Sequence, residues 1–106
     1  MTTTYNEKIF RNLFLGFIRL HILYHASKEP VFGLFMIKEL ARHGYELSPG
    51  TLYPILHQME LNGFLFSEKA VINGKYRKYY RTTAEGDQAL AQAQDKIGEL
   101  SREVKE

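Results

Sequence analysis

The chain has 106 residues, a formal net charge of +2 and 44% apolar residues, which is enough for one small domain and too little for two. It contains no cysteine, so disulfide bonds and cysteine-ligated metal sites are excluded, as is ordinary for a reducing compartment. No segment has the length and hydropathy of a membrane span or a secretory signal. We therefore expect a cytoplasmic protein that does not contact the membrane.

Two helices are predicted before the middle of the chain, after frayed residues 1–5. The first runs from about Asn6 to Ala26 and is apolar over more of its surface than one small domain can cover. Part of that surface is therefore expected to face a partner. The second helix runs from about Leu34 to His43 and is followed by Gly44, a residue type favoured just beyond a helix end.

The stretch "SPGTLYPILHQMELNG" predicts a third helix, from residue 49 to about 62, despite its prolines. Ser48 is a favourable N-cap, and Pro49 suits the first helical position, where no backbone hydrogen bond is lost. Pro54 should distort the helix near its start, because it removes a hydrogen bond and crowds the preceding turn. The helical period nevertheless gives one apolar face, made of Leu52, Ile55, Leu56 and Met59.

The opposite face of this helix is polar and carries no acidic residue. A helix N-terminus also favours phosphate, through its free N–H groups and its dipole. These properties suit a recognition helix whose first turns enter a major groove, and a plain solvent-exposed face is the alternative. The candidate DNA-contacting residues of the helix and its cap are Ser48, Thr51, Tyr53, Pro54, His57 and Gln58.

Two β-type segments, Phe64–Ile72 and Lys75–Thr82, flank Asn73-Gly74, and this arrangement predicts a hairpin with a two-residue turn. Residues 64–82 carry five Lys or Arg against one acidic residue, whereas residues 83–106 carry three against six. Such a basic hairpin suits contacts with DNA phosphates or the minor groove. An edge hairpin kept from aggregating by its charges is the alternative. The candidate DNA contacts here are Lys75, Arg77 and Lys78.

A last helix is predicted from a Thr82 or Thr83 cap to about Glu106. Its apolar residues recur in alternating steps of three and four, a narrow seam of the kind found in coiled coils. This spacing favours pairing with another chain, and packing back on its own domain is the alternative. The candidate dimerisation residues are Leu90, Ala93, Ile97, Leu100 and Val104.

The order of elements predicts a mainly α protein with a β-hairpin, that is, a winged helix-turn-helix plus a long C-terminal dimerisation helix. We expect residues 1–82 to form the DNA-binding domain, including the N-terminal helix, and residues 83–106 to form the dimerisation helix. His21 and His25 have a spacing that can bind a metal, but no further ligand pattern accompanies them. No cofactor, no metal site and no enzymatic activity are predicted.

Two motifs resemble the PadR family of bacterial transcriptional regulators: "LSPGTLYPILHQMELNGFL" (Leu47 to Leu65) and "GKYRKYYRTTAEG" (Gly74 to Gly86). The resemblance covers roughly residues 9–106. It implies a homodimer that binds a palindromic operator in double-stranded DNA and usually represses transcription. It also implies that the final helix packs against the partner's N-terminal helix. It further implies that the candidate residues of the third helix face the DNA and that those of the hairpin touch its backbone.

The chain departs from the family pattern in two places. Members commonly have His-Gly-Tyr-Glu where this chain has Phe32 to Phe35, and the wing often has Gly-Arg-Pro-Arg where this chain has Gly74 to Arg77.

Some members bind aromatic compounds near the dimer centre, so a small aromatic effector that releases the repressor is a candidate ligand. A packed dimer core is the alternative for the candidate pocket residues Phe10, Phe14, Phe17 and Ile97. A module that binds another protein through its terminal helices is the alternative function.

Overall fold

The computed structural model describes the backbone of residues 2–106 and the side chains of residues 7–106. The predicted mainly helical fold with one hairpin is confirmed. The first helix begins at Thr2 rather than Asn6, so residues 2–5, predicted to be frayed, are helical, and Met1 lies outside the described backbone. The elements are α1 (Thr2–Lys28), α2 (Gly33–Arg42), α3 (Pro49–Leu61), β1 (Leu65–Ile72), β2 (Lys75–Thr82) and α4 (Ala84–Val104).

A hydrophobic core lies between α1, α2, α3 and the base of the hairpin. Each helix contributes residues spaced three or four apart, so that one face of each is removed from water. The side chains with the least exposure are Ile22, Val31, Met36, Leu40, Leu52, Leu56 and Leu65.

Glycines in left-handed geometry end α2 and α3 and set the directions of the chain on both sides of α3. Gly44 has φ +89° and Gly63 has φ +85°, a conformation that residues with a Cβ adopt at a cost. The amide of Tyr45 donates to the carbonyl of Leu40 at 2.9 Å, and an equivalent bond of 2.9 Å closes the end of α3. These bonds satisfy carbonyls that the helix ends would otherwise leave free.

The helix α3 runs without interruption from Pro49 to Leu61, although Pro54 lies inside it. Ser48 occupies the N-cap position as predicted, but its side chain makes no capping hydrogen bond to a backbone amide. Its hydroxyl instead donates to the Thr51 Oγ1 at 3.3 Å. The start of α3 thus depends on the Ser48 carbonyl, which accepts from the Leu52 amide at 3.0 Å.

The hairpin has the predicted two-residue turn. Ile72 pairs with Lys75 across it, and both Asn73 (φ 53°) and Gly74 (φ 76°) have positive φ, as a type I′ turn requires. The other edge of β2 is also paired, because Val31 and Tyr80 exchange backbone hydrogen bonds of 3.0 and 2.7 Å. The segment before α2 therefore holds the hairpin to the helical body.

The start of α4 is fixed against the end of α3. The Thr83 Oγ1 accepts from the Gly86 amide at 3.0 Å, and its hydroxyl donates to the carbonyl of Gly63. A Cβ on Gly86 would overlap the carbonyl of Phe64. Within residues 2–106, none of the helices is both long enough and apolar enough to cross a membrane.

Candidate nucleic-acid interface

The polar face of α3 lies on the surface, as its sequence period predicts. Leu52, Ile55, Leu56 and Met59 are buried, and the opposite face is open to solvent. Thr51 is half-buried beside the Ser48 hydroxyl, so it is less accessible than the rest of this face. The exposed candidate residues are Ser48, Tyr53, Pro54, His57 and Gln58.

Gly50 presents open backbone at the start of this face. A Cβ built on Gly50 would meet only the Ser48 hydroxyl oxygen, at 3.7 Å, which is an ordinary contact distance. Packing within the chain therefore does not require glycine at this position. The bare backbone there lets another molecule approach α3 more closely than a side chain would.

Tyr53 is 43% exposed, but its ring does not project freely. It packs over Gly33, the first residue of α2, so closely that a Cβ at Gly33 would overlap the ring. One side of Tyr53 is thereby fixed against the body, and the other remains available to a ligand of α3.

The basic candidates of the hairpin, which we call the wing, divide between its two faces. Successive strand residues point to opposite faces, so Lys75 and Arg77 share the face of Tyr79, and Lys78 lies on the face of Tyr80. The Arg77 guanidinium carbon lies 3.9 Å from the centre of the Phe32 ring. The Arg77 side chain is therefore held in place by Phe32, whereas Lys75 is exposed beside the turn.

Lys78 lies close to the end of α3. Its Nζ is 4.0 Å from the Glu60 Oε1, and the Ser67 hydroxyl donates to the other carboxylate oxygen of Glu60 at 2.7 Å. These contacts connect both strands of the wing to the end of α3. They also offset part of the positive charge of Lys78, so the three wing cations are not equivalent.

A second polar cluster lies away from α3, where α1 meets α2. Glu39 accepts hydrogen bonds from Arg42 at 2.8 and 3.0 Å, and one of its oxygens is 3.3 Å from both the His25 and the His43 Nε2. His21 stacks on His43 with ring centres 4.5 Å apart. Within the described residues, no such group is arranged to hold a metal ion.

The charges of this cluster shift two pKa values. Burial lowers the pKa of His21 below its ordinary value of 6.5, and the neighbouring His43 and His25 lower it further, against a smaller opposing effect of Glu39. The hydrogen bond from Arg42 is the main cause that lowers the pKa of Glu39 below its ordinary value of 4.5. Both groups therefore resist protonation in the folded chain.

This cluster lines a cavity of about 720 Å³ between α1, α2 and α4. Of the candidate pocket residues, Phe17 and Ile97 line it, whereas Phe14 lines a second cavity and Phe10 lines neither of these two. Phe10 instead stacks on Phe14 on the surface of α1, with ring centres 6.2 Å apart. The other residues lining the larger cavity are Leu20, His21, Tyr24, His25, Glu39, Arg42, His43, Tyr45, Leu90 and Gln94.

The candidate dimerisation seam becomes more exposed along α4. Leu90 and Ala93 are half-buried near the body, and Ile97, Leu100 and Val104 are 47%, 57% and 71% exposed. Helix α1 also carries exposed apolar side chains: Ile9, Phe10, Leu13, Phe14, Phe17 and Tyr24. Exposed apolar side chains in such number are typical of surfaces that bind another molecule.

Several of these contacts are not visible in the sequence. Val31 pairs with Tyr80, Phe32 packs on Arg77, and Gly33 packs on Tyr53. These residues are far apart in the chain, so no local sequence pattern predicts the contacts. The single cue is an isolated glycine at the start of a helix, which often indicates close packing.

Before α4, the chain has three helices, a glycine in the turn between the second and the third, and a hairpin beside the third. This arrangement defines a winged helix-turn-helix protein. A family model described as "Transcriptional regulator PadR-like family" matches residues 22–92. The chain belongs to the PadR family, whose members are transcriptional regulators that bind DNA and are not enzymes.

Known proteins support this assignment over most of the chain. "Transcriptional regulator Rv3488" from Mycobacterium tuberculosis is 49% identical over 87 residues, which cover 82% of this chain and 81% of that protein. A crystal structure of a PadR family regulator from Eggerthella lenta has 32% identity and a TM-score of 0.75, covering 97% of this chain and 91% of the other. A PadR-like regulator from Bacillus cereus has 30% identity and a TM-score of 0.79, covering 85% and 89%.

Proposed function

We propose that this chain is a dimeric, sequence-specific DNA-binding repressor that a small ligand releases from its operator. The observation that carries the proposal is the exposed polar face of α3 beside the basic wing. A chromosomal target implies a cytoplasmic location.

The recognition helix supplies the base contacts in this proposal. Thr51, Tyr53, His57 and Gln58 carry hydroxyl, imidazole and amide groups, which can hydrogen-bond base edges or phosphates. Ser48 and Pro54 belong to the same surface, and the bare backbone of Gly50 allows close approach of the duplex. α3 carries no acidic residue in its first turn, so nothing there repels phosphate.

The wing adds contacts to the DNA backbone. Lys75 lies beside the turn, and Arg77 is held over Phe32 with the flat guanidinium available at its edge. Lys78 contributes less, because Glu60 offsets part of its charge. Cations that neutralise phosphates release counterions, so this part of the affinity should fall steeply with salt.

A second copy of the chain is the proposed occupant of the apolar surface of α1 and α4. The seam of Ile97, Leu100 and Val104 has the spacing of a helix that pairs with a helix, and these residues are exposed in the single chain. Two copies related by a two-fold axis would present two recognition helices to a palindromic operator, as dimeric helix-turn-helix proteins do.

The proposed ligand is a small aromatic compound bound in the 720 Å³ cavity. Phe17, Tyr24 and Tyr45 provide aromatic walls, and the imidazoles provide hydrogen-bonding groups, a combination common in small-molecule sites. The cavity touches α2, which supports the recognition helix, and α4, which carries the proposed dimer contact. A bound molecule could therefore change the distance between the two recognition helices and weaken operator binding.

A protein-interaction module is the second candidate function, and the exposed apolar surface of α1 and α4 is the observation that favours it. In that case the partner is a different chain and the protein alone is monomeric. Sedimentation of the pure protein at micromolar concentration separates the two: a dimer supports the repressor, and a stable monomer supports the module.

The DNA-binding part of the proposal is tested with duplexes recovered from a random pool and labelled for fluorescence anisotropy. Tyr53→Ala combined with His57→Ala should weaken binding at least about 10-fold, since each lost base contact costs about 1–3 kcal/mol. Gln92→Ala, on the exposed side of α4, is the matched control and should bind like the wild type. Equal affinity of all three proteins would contradict the role given to α3.

A further inference from the structure

Two consecutive residues at the start of α2 contact the two elements proposed to bind DNA. One contacts a side chain of the wing, and the other contacts a side chain of α3. Phe32 is the N-cap residue of α2, and Gly33 is its first helical residue. The ring of Phe32 lies under the guanidinium of Arg77 in the wing, at 3.9 Å from ring centre to guanidinium carbon. Gly33 lies under the ring of Tyr53 in α3. A single dipeptide therefore contacts both the wing and the recognition helix.

The backbone around this dipeptide is firmly attached to the wing. Val31, which is 2% exposed, pairs with Tyr80 through hydrogen bonds of 2.7 and 3.0 Å. The ring of Phe32 meets the edge of the Tyr79 ring with centres 5.6 Å apart. Because Tyr79 is itself buried, Phe32 is a fixed support rather than a mobile surface ring.

Stacking on Phe32 leaves Arg77 able to bind DNA. A guanidinium stacked through its face keeps its N–H donors at the edge, where they can reach phosphate or a base. The ion pairs found among residues 7–106 do not include Arg77. Contact with an aromatic ring thus orients the side chain without neutralising its charge.

The packing of Tyr53 on Gly33 constrains the recognition helix in a similar way. Any side chain at Gly33 would displace the Tyr53 ring, because the space for a Cβ is already occupied. The absence of a Cβ therefore determines where the Tyr53 hydroxyl lies relative to α2.

We propose that Phe32 and Gly33 are positioning residues, which hold Arg77 and Tyr53 in their DNA-binding geometry before DNA arrives. The proposal rests on the DNA-binding function proposed above. Side chains that are already ordered lose less conformational entropy on binding, so pre-organisation of both contacts raises affinity. Neither Phe32 nor Gly33 needs to touch DNA for this effect.

A double-mutant cycle on operator affinity tests the Phe32 part. Phe32→Leu should weaken binding about 5- to 30-fold per dimer, which corresponds to about 0.5–1 kcal/mol of cation–π energy in each subunit. The same change should have little further effect in an Arg77→Met background. Phe32→Tyr keeps the ring and should keep the affinity. Equal losses from Phe32→Leu in both backgrounds, or no effect of Arg77→Met, would overturn the proposal.

A second cycle tests Gly33. Gly33→Ala should lower operator affinity in the wild-type background, because the new methyl group displaces Tyr53. In a Tyr53→Ser background the methyl group has room, so Gly33→Ala should cause no further loss. A loss of the same size in both backgrounds would contradict a role through Tyr53. Thermal unfolding of each variant shows whether the fold is retained. If Gly33→Ala alone unfolds, the comparison of Tyr53→Ser with and without Gly33→Ala still shows whether the methyl group acts through Tyr53.

An NMR measurement checks the Arg77 contact without DNA. The ring current of Phe32 should shift the Arg77 side-chain protons upfield in the wild type and in Phe32→Tyr, and this shift should vanish in Phe32→Leu. Phe66→Leu, which removes a half-exposed ring opposite Arg81, is the matched control and should leave the shift unchanged. Arg77 protons without the shift would overturn the positioning role. A wild type that binds no duplex would overturn the proposed function instead.

Discussion

At the level of single residues, Gly50 is a position where stability favours alanine and DNA binding favours glycine. A Cβ there meets only the Ser48 hydroxyl at 3.7 Å, and alanine favours a helix over glycine by up to about 1 kcal/mol. Gly50→Ala should therefore raise the free energy of unfolding by up to about 1 kcal/mol. If DNA approaches the bare backbone, the same change should lower operator affinity.

The control for this prediction is Gly98→Ala in α4, where a Cβ would meet only the Arg102 guanidinium at 3.5 Å. It should also raise stability, but it should leave DNA affinity unchanged. Thermal unfolding and fluorescence anisotropy measure the two effects. Unchanged affinity in Gly50→Ala would mean that the duplex does not approach α3 at this point.

His21 and Glu39 make stability depend on pH in the same direction. A group whose pKa is lowered by folding binds protons more readily in the unfolded chain, so acidification favours unfolding. For His21 this loss of stability sets in as the pH falls through 6.5, and for Glu39 it follows as the pH falls through 4.5. The unfolding temperature should therefore decrease from pH 7 to pH 5.

The variant His21→Gln tests the first of these contributions, because it removes a group whose protonated form is disfavoured first by burial and then by His43 and His25. Its unfolding temperature should decrease less than that of the wild type between pH 7 and pH 5. His43→Gln removes only one cause of the lowered pKa of His21. The decrease in its unfolding temperature should lie between those of the wild type and His21→Gln. Identical pH profiles of the wild type and His21→Gln would exclude this source of acid sensitivity.

At the scale of elements, the sequence predicted each helix and strand because each has a local signal: apolar periodicity, a cap or Asn-Gly. Helix ends near Gly44, Gly63 and Thr83 were predicted closely for the same reason. Contacts between elements were not predictable, since the Phe32–Arg77 and Gly33–Tyr53 contacts depend on how three elements meet. The exposed face of α3 followed from its period, whereas the division of the wing cations between two faces required the strand register.

Helix α3 carries an internal proline that costs stability. Pro54→Ala should raise the free energy of unfolding by up to about 3 kcal/mol, because alanine restores a backbone hydrogen bond to Gly50. Chemical denaturation measures the change. Operator affinity of the same variant then shows whether the geometry that Pro54 imposes matters for DNA, and a loss of stability would contradict the cost assigned to this residue.

The wing should account for much of the salt dependence of binding. If Lys75, Arg77 and Lys78 each contact one phosphate per subunit, replacing all three by alanine should flatten the slope of log K against log salt by about 5 per dimer. Among the single variants, Lys78→Ala should have the smallest effect, because Glu60 lies 4.0 Å from the Lys78 amine. An unchanged slope in the triple variant would rule out the wing as a phosphate contact.

At the scale of the whole molecule, the apolar seam of α4 should hold two chains together. The wild type should sediment at twice the chain mass of 12.3 kDa. Leu100→Asp should weaken dimerisation by about 100-fold or more, because it buries an unpaired charge at the interface, while costing the single chain little at a side chain that is 57% exposed. Gln92→Asp adds the same charge at another exposed position of α4 and should remain dimeric. Dimers of Leu100→Asp would exclude this seam.

We propose above that two copies of this chain read a two-fold symmetric DNA sequence with α3 and the wing. Selection of bound sequences from a random duplex pool tests it most directly. We expect enrichment of an inverted repeat whose half-sites are separated by about one helical turn, the spacing that paired recognition helices impose. A pool that shows no enrichment after repeated selection, or a consensus without two-fold symmetry, would contradict it.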